Sequence, residues 1–399
     1  MSASPRVAIL GAGPIGLEAG LAAAEHGLDF TVYDAAPAVG GHVRSWGHVQ
    51  TFTPWAMNVS PRAQRALQAA GREVPDGDAL PTGAELADQL LDPLASLPVL
   101  SGRIETAARV LAVSRDGLLK HEEIGSGRRR EHAFRVLVER ADGSEDNVRA
   151  DVVIDATGTY GNPNRLGDGG IDAIGERAFD GRIERFLPPL NRDRQAWAGQ
   201  RILLTGAGHS AQTAARELAE FARQAPGTEV VWAVRSARPD WGAVDSDPLP
   251  ARARLNASAS ELAAGASPAI SVRTACVTEA LRGRDGAMAI TLRNGSAEEV
   301  VVDRVLALNG GVGDAGIYRQ LQVHECYATS GPMKLAAALL SESGGDCLAQ
   351  VAHGPETLVN PEPDFFILGA KSYGRNSQFL LRIGWQQVDD VFEHLLTPG

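Results

Sequence analysis

Cysteine is scarce in this chain: 399 residues hold three, Cys276, Cys326 and Cys347, far apart and with no Cys-x-x-Cys pair among them. An odd, scattered set offers neither a disulfide framework nor the ligand spacing of a zinc site, so no metal is expected and a reduced, cytoplasmic compartment is. Long apolar runs are missing too. Nothing approaches the roughly 20 residues that a membrane span requires, and Met1 leads almost directly into a strand, leaving no room for a signal peptide. Basic charge is also in short supply. A net charge of -11 would repel a phosphate backbone, and no basic stripe with interleaved aromatics offsets it. Arg128-Arg129-Arg130 reads as the solvated tip of a polar loop, with an anion or partner site as the alternative. Nucleic acid and membranes are thereby excluded as expected partners, while monomer and homo-oligomer both stay open. The length and the 44% of hydrophobic residues are enough for two ordinary cores.

Glycine, by contrast, is abundant and placed. Gly11-Ala12-Gly13-Pro14-Ile15-Gly16 and Gly206-Ala207-Gly208-His209-Ser210-Ala211 are two loops of one design, 195 residues apart. The first follows an apolar β run, Arg6 to Leu10, and opens a helical stretch from Ile15 to His26. A second β run, Phe30 to Tyr33, then ends in Asp34, 18 residues past Gly16. Strand, glycine turn, helix, strand and terminal acid together predict a dinucleotide site. Gly11 permits the tight turn, Gly13 lets backbone approach a pyrophosphate, and Gly16 lets the helix pack close to the strand. The helix start supplies unpaired N–H groups and a partial positive charge. Asp34 is placed to accept from ribose hydroxyls. Gly40-Gly41, six residues on, predicts a second close approach of backbone to cofactor, with an ordinary turn as the alternative.

The later chain repeats this plan. Phe134 to Glu139 and Val148 to Ile154 are β-like runs that lead into Asp155-Ala156-Thr157-Gly158; Val272 to Leu281, Ala287 to Leu292 and Glu299 to Leu308 lead into Asn309-Gly310-Gly311. Each loop is thus followed by a β-meander and a strand ending in a small turn, an internal repeat of two nucleotide-binding units, one inserted into the other. Pro163 to Gly175 and Val312 to Tyr318 read as the outgoing and returning linkers. The expected fold is α/β, two Rossmann-like dinucleotide-binding domains each with a β-meander: residues 1–165 and 315–399 form one, and 166–314 the inserted other. A last strand, Phe365 to Leu368, and an amphipathic helix from about Gln378 to Leu396 should rejoin the first domain.

Gly11 to Gly16, Asp34, Gly40-Gly41 and Asp155 to Gly158 together resemble the two-dinucleotide-binding-domain flavoproteins, among them thioredoxin-reductase-like enzymes and flavin-containing monooxygenases. The resemblance covers nearly the whole chain. It implies FAD at the first loop, with Gly11, Gly13, Pro14, Ile15, Gly16, Asp34, Gly40, Gly41, His42, Ala156, Thr157 and Gly158 around it. Gly206, Gly208, His209, Ser210 and Ala211 resemble the NADPH loop of the monooxygenases. The next run, Glu229 to Val234, ends in Arg235, whose guanidinium fork suits a 2′-phosphate and cannot accept from a 2′-hydroxyl, so NADPH is expected over NADH. Arg238 is placed to share that task.

A disulfide reductase of this architecture needs two neighbouring thiols; without them, electrons from the flavin are expected to go to dioxygen, another small molecule or a carrier. Asp155-Ala156-Thr157-Gly158-Thr159-Tyr160 is similar to the Ala-Thr-Gly-x-Tyr signature of the monooxygenases, whereas their Phe-x-Gly-x-x-x-His fingerprint falls on Phe179 to Arg185, with Arg185 in place of the histidine. Oxygenation of a small organic substrate with NADPH and dioxygen is the expected reaction. An NADPH-dependent reductase serving a small acceptor or carrier protein is the alternative, and a non-catalytic FAD/NADP redox sensor is the third reading. Trp46, Phe52 and Trp55 suit a substrate pocket or a core. Asn58 falls near the asparagine that the monooxygenases keep beside flavin carbon C4a, and His48 is a candidate proton carrier. Near the C-terminus, Gly369 lacks the acidic residue that usually follows it. Lys371, Asn376 and Gln378 are the expected substitutes, with a helix start at Ser377-Gln378 to balance negative charge on the cofactor.

Overall fold

Val7 to Leu10 are all buried, so β1 (Arg6–Leu10) is covered on both faces, as the strands of a parallel α/β sheet must be. Pro14, with its fixed φ, starts α1 (Pro14–Glu25), and β2 (Asp29–Tyr33) returns parallel to β1 with Leu10 opposite Tyr33. The chain continues through α2 (Gly41–Ser45) and α3 (Pro61–Ala69) to β3 (Ile104–Glu105), the meander β4 (Arg109–Arg115), β5 (Phe134–Glu139) and β6 (Glu145–Ala150), and β7 (Val152–Asp155). Next come β8 (Ile183–Glu184), β9 (Arg201–Thr205), α4 (His209–Gln224), β10 (Glu229–Ala233), α5 (Pro250–Ala263), β11 (Ile270–Arg273), the meander β12 (Val277–Arg284), β13 (Ala287–Asn294) and β14 (Ser296–Val302), and β15 (Arg304–Ala307). The last elements are α6 (Met333–Ser341), β16 (Phe365–Ile367) and α7 (Leu381–Leu396). This computed structural model describes residues 4–341, 348 and 351–397.

Two compact units result, Met1–Asn162 with Val312–Gly399, and Pro163–Gly311. In the first, a parallel sheet has the order β16-β7-β1-β2-β3, beside the antiparallel meander β4-β5-β6. In the second, the order is β11-β10-β9-β15-β8, beside β12-β13-β14. The α/β fold of two Rossmann-like halves, each with a meander, is the one expected.

Several apolar runs that look continuous in sequence are broken in space. Val148 to Ile154 divides at Asp151, and Glu299 to Leu308 divides at Asp303, so each run leaves its meander and enters the parallel sheet. The break is made by one device used twice. Asp151 accepts from the backbone N–H of Arg6, the first residue of β1, at 2.8 Å, and Asp303 accepts from that of Arg201, the first residue of β9, at 2.9 Å. Each carboxylate also pairs with its arginine's guanidinium. Val272 to Leu281 breaks at Ala275, which adopts φ +52°. The C-terminal helix begins at Leu381, beyond the expected Gln378. Trp241 to Arg254 contains the start of α5.

One core of the first unit gathers α1, α7 and one face of the sheet, including Ile9, Leu17, Ile154 and Phe392; another packs Phe134, Val136, Tyr318 and Phe365 between sheet and meander. In the second unit Leu203, Ile290 and Val305 centre the sheet–meander core. No helix among the described residues is long and apolar enough to cross a membrane.

Buried charges tie these layers together. Arg62 bridges Glu18 and Glu25 of α1 to Asp389 of α7. Burial raises the Glu18 carboxyl against the pull of Ser60 and Arg62. Arg129, expected on a solvated tip, is fully buried; only its neighbours Arg128 and Arg130 are exposed. Its guanidinium and that of Arg115 in β4 both meet Glu362, at 2.8 Å each, and Glu362 also accepts from the Gln322 N–H at 2.9 Å. Glu362→Gln leaves two buried guanidinium groups without their counter-charge, and the expected loss is about 3–5 kcal/mol of unfolding free energy, read by urea denaturation.

Candidate functional site

The first glycine loop lies where three parallel strands end. Gly11 (φ +97°) turns the chain out of β1 with its N–H bonded to the Tyr33 carbonyl at 2.7 Å. A Cβ on Gly11 would lie 2.8 Å from the Ala156 carbonyl oxygen, and one on Gly16 would overlap the Gly11 carbonyl. Both positions therefore require glycine, and the loop is pressed against Asp155-Ala156-Thr157-Gly158 at the end of β7. The third wall is the end of β16: Ile15 packs against Gly369 and Gly384. These are the carboxyl ends of the strands, where ligands of open α/β sheets bind.

The start of α1 fits a pyrophosphate. Its N-cap, Gly13, is half-exposed, has no atom within 4 Å of where a Cβ would stand, and offers no side chain to cap the helix. The first-turn N–H groups of Ile15 and Gly16 thus have no intrahelical acceptor and no side-chain cap. Asp34 is half-buried at the end of β2, accepting from the Ala12 N–H at 2.6 Å and from the Ala36 N–H at 2.8 Å. It shapes the turn directly, and each oxygen keeps a further lone pair for a ribose hydroxyl.

The second unit repeats the geometry. Gly206 (φ +108°) leaves no room for a Cβ beside the Leu308 carbonyl, and Trp232 Nε1 donates to the Gly206 carbonyl at 2.8 Å. Gly208 caps α4 without a side-chain bond and is exposed, as are His209 and Ser210; Ala211 is fully buried beneath them. Arg235 is exposed two residues past the end of β10 and makes no hydrogen bond or ion pair among the described residues; Arg238 is exposed beside it.

Other expected site residues are placed differently. Gly40 (φ +67°) and Gly41 are glycines because Leu91 and Ala36 occupy the space of their Cβ atoms, so packing accounts for the pair. His42 is exposed and stacks on Tyr160, ring centroids 5.7 Å apart. Trp55 belongs to the core, and Trp46 lies across Gly83 against it, which removes both from an open pocket; Phe52 is half-buried and His48 exposed. Asn58 is buried with both amide hydrogens used. Nδ2 donates to the carbonyls of Thr53 and Pro54, and Oδ1 accepts from the Thr53 hydroxyl, all at 2.9 Å. It braces its own loop and has no donor left for a cofactor.

Lys371 also departs from expectation. It is buried, and its three ammonium hydrogens go to Asp155 Oδ2 (2.6 Å), Thr157 Oγ1 (3.1 Å) and the Asp314 carbonyl (2.8 Å), so none remains for direct contact with a ligand. Asn376 is half-buried with its Oδ1 accepting from the N–H of Gln378, and both precede α7 in an irregular segment, so no helix start stands at Ser377-Gln378. Arg185, at the place of the fingerprint histidine, donates to Glu176 and Asp180 and so holds the Leu166–Glu176 loop. Cys276 and Cys326 are buried free thiols, one in each unit; Cys347 lies outside the described residues.

Among solved structures, the chain is similar to the bacillithiol disulfide reductase Bdr (YpdA) from Bacillus cereus, with 18% identity, TM-score 0.69 and 98% of each chain covered. It is also similar to DfoA, a cadaverine monooxygenase from Erwinia amylovora, with 13% identity, TM-score 0.64 and 99% and 95% covered. A flavin-containing monooxygenase from Stenotrophomonas maltophilia matches at 19% identity and TM-score 0.59, with 98% and 99% covered. At such identities the likeness speaks for the fold and leaves the reaction open. No curated protein matches the chain significantly. Residues 5–325 match the profile of the pyridine nucleotide-disulphide oxidoreductases. With two uncapped glycine-turn helices that each suit a dinucleotide pyrophosphate, the chain belongs to the pyridine nucleotide-disulphide oxidoreductase family and is an oxidoreductase using FAD and NADPH.

Proposed function

We propose that this chain takes hydride from NADPH onto FAD and passes the electrons to an acceptor other than a disulfide, the leading reaction being oxygenation of a small organic molecule by dioxygen. The observation that carries this reading is the lack of a thiol pair: no Cys-x-x-Cys occurs in the sequence, and among the described residues each unit holds a single free cysteine, Cys276 in one and Cys326 in the other. Thiol relay needs a pair that can close a disulfide.

Bound FAD supplies a two-electron acceptor that can in turn reduce dioxygen, and NADPH supplies the hydride. The protein's part is to bind and orient. The N–H groups at the start of α1 hold the FAD pyrophosphate, and Asp34 accepts from the adenosine ribose with the lone pairs that Ala12 and Ala36 leave free. The start of α4, with His209 and Ser210, holds the NADPH pyrophosphate. Arg235, exposed and unpaired, takes the 2′-phosphate. The stacked His42–Tyr160 pair, beside the Ala156-Thr157-Gly158 turn, supports a likeness to the monooxygenases at their Ala-Thr-Gly-x-Tyr signature.

Two observations favour the second reading, a reductase serving a small acceptor or carrier protein. Both amide hydrogens of Asn58 are consumed by its own loop, and Arg185 replaces the fingerprint histidine. The readings separate in one assay. Oxygenation predicts that NADPH oxidation requires oxygen and yields a product bearing one added oxygen atom, with little hydrogen peroxide. Anaerobic turnover with a dye or carrier at the aerobic rate would replace it with the second reading. In either case Cys276→Ser with Cys326→Ser should leave the turnover within about twofold of the unaltered enzyme, because neither thiol carries electrons; complete loss would restore a thiol route. Arg235→Ala should raise KM for NADPH by about tenfold or more while leaving that for NADH nearly unchanged, as steady-state kinetics with the two cofactors will read.

A further inference from the structure

A buried ion pair lies under the first glycine loop, and no ligand-contact role accounts for it. Lys371 Nζ stands 2.6 Å from Asp155 Oδ2, with side-chain exposures of 1% and 0%. The other Asp155 oxygen accepts from the N–H (3.1 Å) and the hydroxyl (2.7 Å) of Thr157. The Lys371 ammonium also lies 5.1 Å from the centre of the Tyr318 ring, and its stem fills the place of a side chain at Gly313. Asp155 closes β7, and the next residues, Ala156 and Thr157, are the ones that press on Gly11. The pair is therefore built into the turn on which the glycine loop rests.

Burying an ion pair costs desolvation that the pairing itself repays only in part. The starts of β1 and β9 are tied by more exposed pairs, Arg6–Asp151 and Arg201–Asp303, at less of that cost. The residue after Gly369 is Ala370, so no carboxylate arises there; Asp155 is the fully buried carboxylate beneath the loop, with Asp34 at the end of β2 and Asp314 and Glu325 around Tyr318 as the other acids nearby. A pyrophosphate at the start of α1 would bring a dianion onto the loop that rests on that turn, and the Asp155 carboxylate, being fully buried, is itself weakly screened.

We propose that Lys371 is a positioning and charge-balancing residue for the FAD pyrophosphate. It cancels the Asp155 charge at the floor of the crevice and acts through the Asp155–Thr157 turn without touching the cofactor. This rests on the FAD reading of the first loop.

Charge balance predicts opposite signs for the two partners of one ion pair, which a purely structural brace does not. Lys371→Met leaves the carboxylate uncompensated, and FAD affinity of the full-length protein should fall by about tenfold or more. Asp155→Asn retains an acceptor for Thr157 and leaves the ammonium in surplus, so FAD should bind at least as tightly as to the unaltered chain, although the apoprotein melts lower. Lys371→Arg should retain affinity, and the double variant Asp155→Asn/Lys371→Met, which removes both charges and hence the main obstacle to folding, should recover most of what Lys371→Met loses. Affinities are read by quenching of FAD fluorescence, with thermal melting of each apoprotein alongside. If Asp155→Asn weakens FAD binding as Lys371→Met does, or the double variant binds no better than the single one, charge balance is overturned and the pair is only a brace. If the unaltered apoprotein does not bind FAD, the reading of the first loop fails instead.

Discussion

The close approach of α1 to the end of β1, with the Gly11 carbonyl where a side chain at residue 16 would have to be, is the constraint on which the first unit turns. It places the uncapped start of a helix over the carboxyl ends of β1, β7 and β16, so the helix N–H groups face a crevice and not a neighbouring side chain. The turn after β7 then has to sit directly beneath the loop, and its geometry is set by Asp155, Thr157 and Lys371. The second unit meets the same constraint with Gly206 against Leu308, and relaxes it slightly by using Ala211 where the first has Gly16.

Much of this was legible in the sequence because it depends on local rules. The glycine spacing, the flanking apolar runs and the terminal Asp34 have physical requirements that span about 30 residues, and the βαβ units form where those requirements are met. The repeat was legible for the same reason. The points at which runs divide were not, since Val148 to Ile154 has no breaker residue. Its division is made by Asp151 reaching Arg6, a contact 145 residues away in the chain. Arg129 likewise looked like one of three solvated arginines until β4 and the segment before β16 brought Arg115 and Glu362 around it.

The individual side chains of the site were the least legible part. Residue type shows what a group can do, and only its neighbours show whether that capacity is already spent. Asn58 and Lys371 each carry donors suited to a cofactor or a substrate, and each has committed them to acceptors of its own unit, while Arg185 has committed Nη2 to two carboxylates. Arg235 is the contrasting case, a guanidinium at a strand end with nothing nearby to hold it. For Lys371 the missing acid after Gly369 was a visible signal that the charge at this end of the site is arranged differently; the partner, Asp155, is 216 residues away and became evident only with the fold.

The account depends most on the first loop taking FAD, and the FAD content of the purified protein tests that directly. After incubation with excess FAD and removal of the unbound cofactor, the visible absorbance should give one FAD per chain, and anaerobic NADPH should bleach it. A colourless protein, or one whose bound flavin NADPH fails to bleach, would contradict the account.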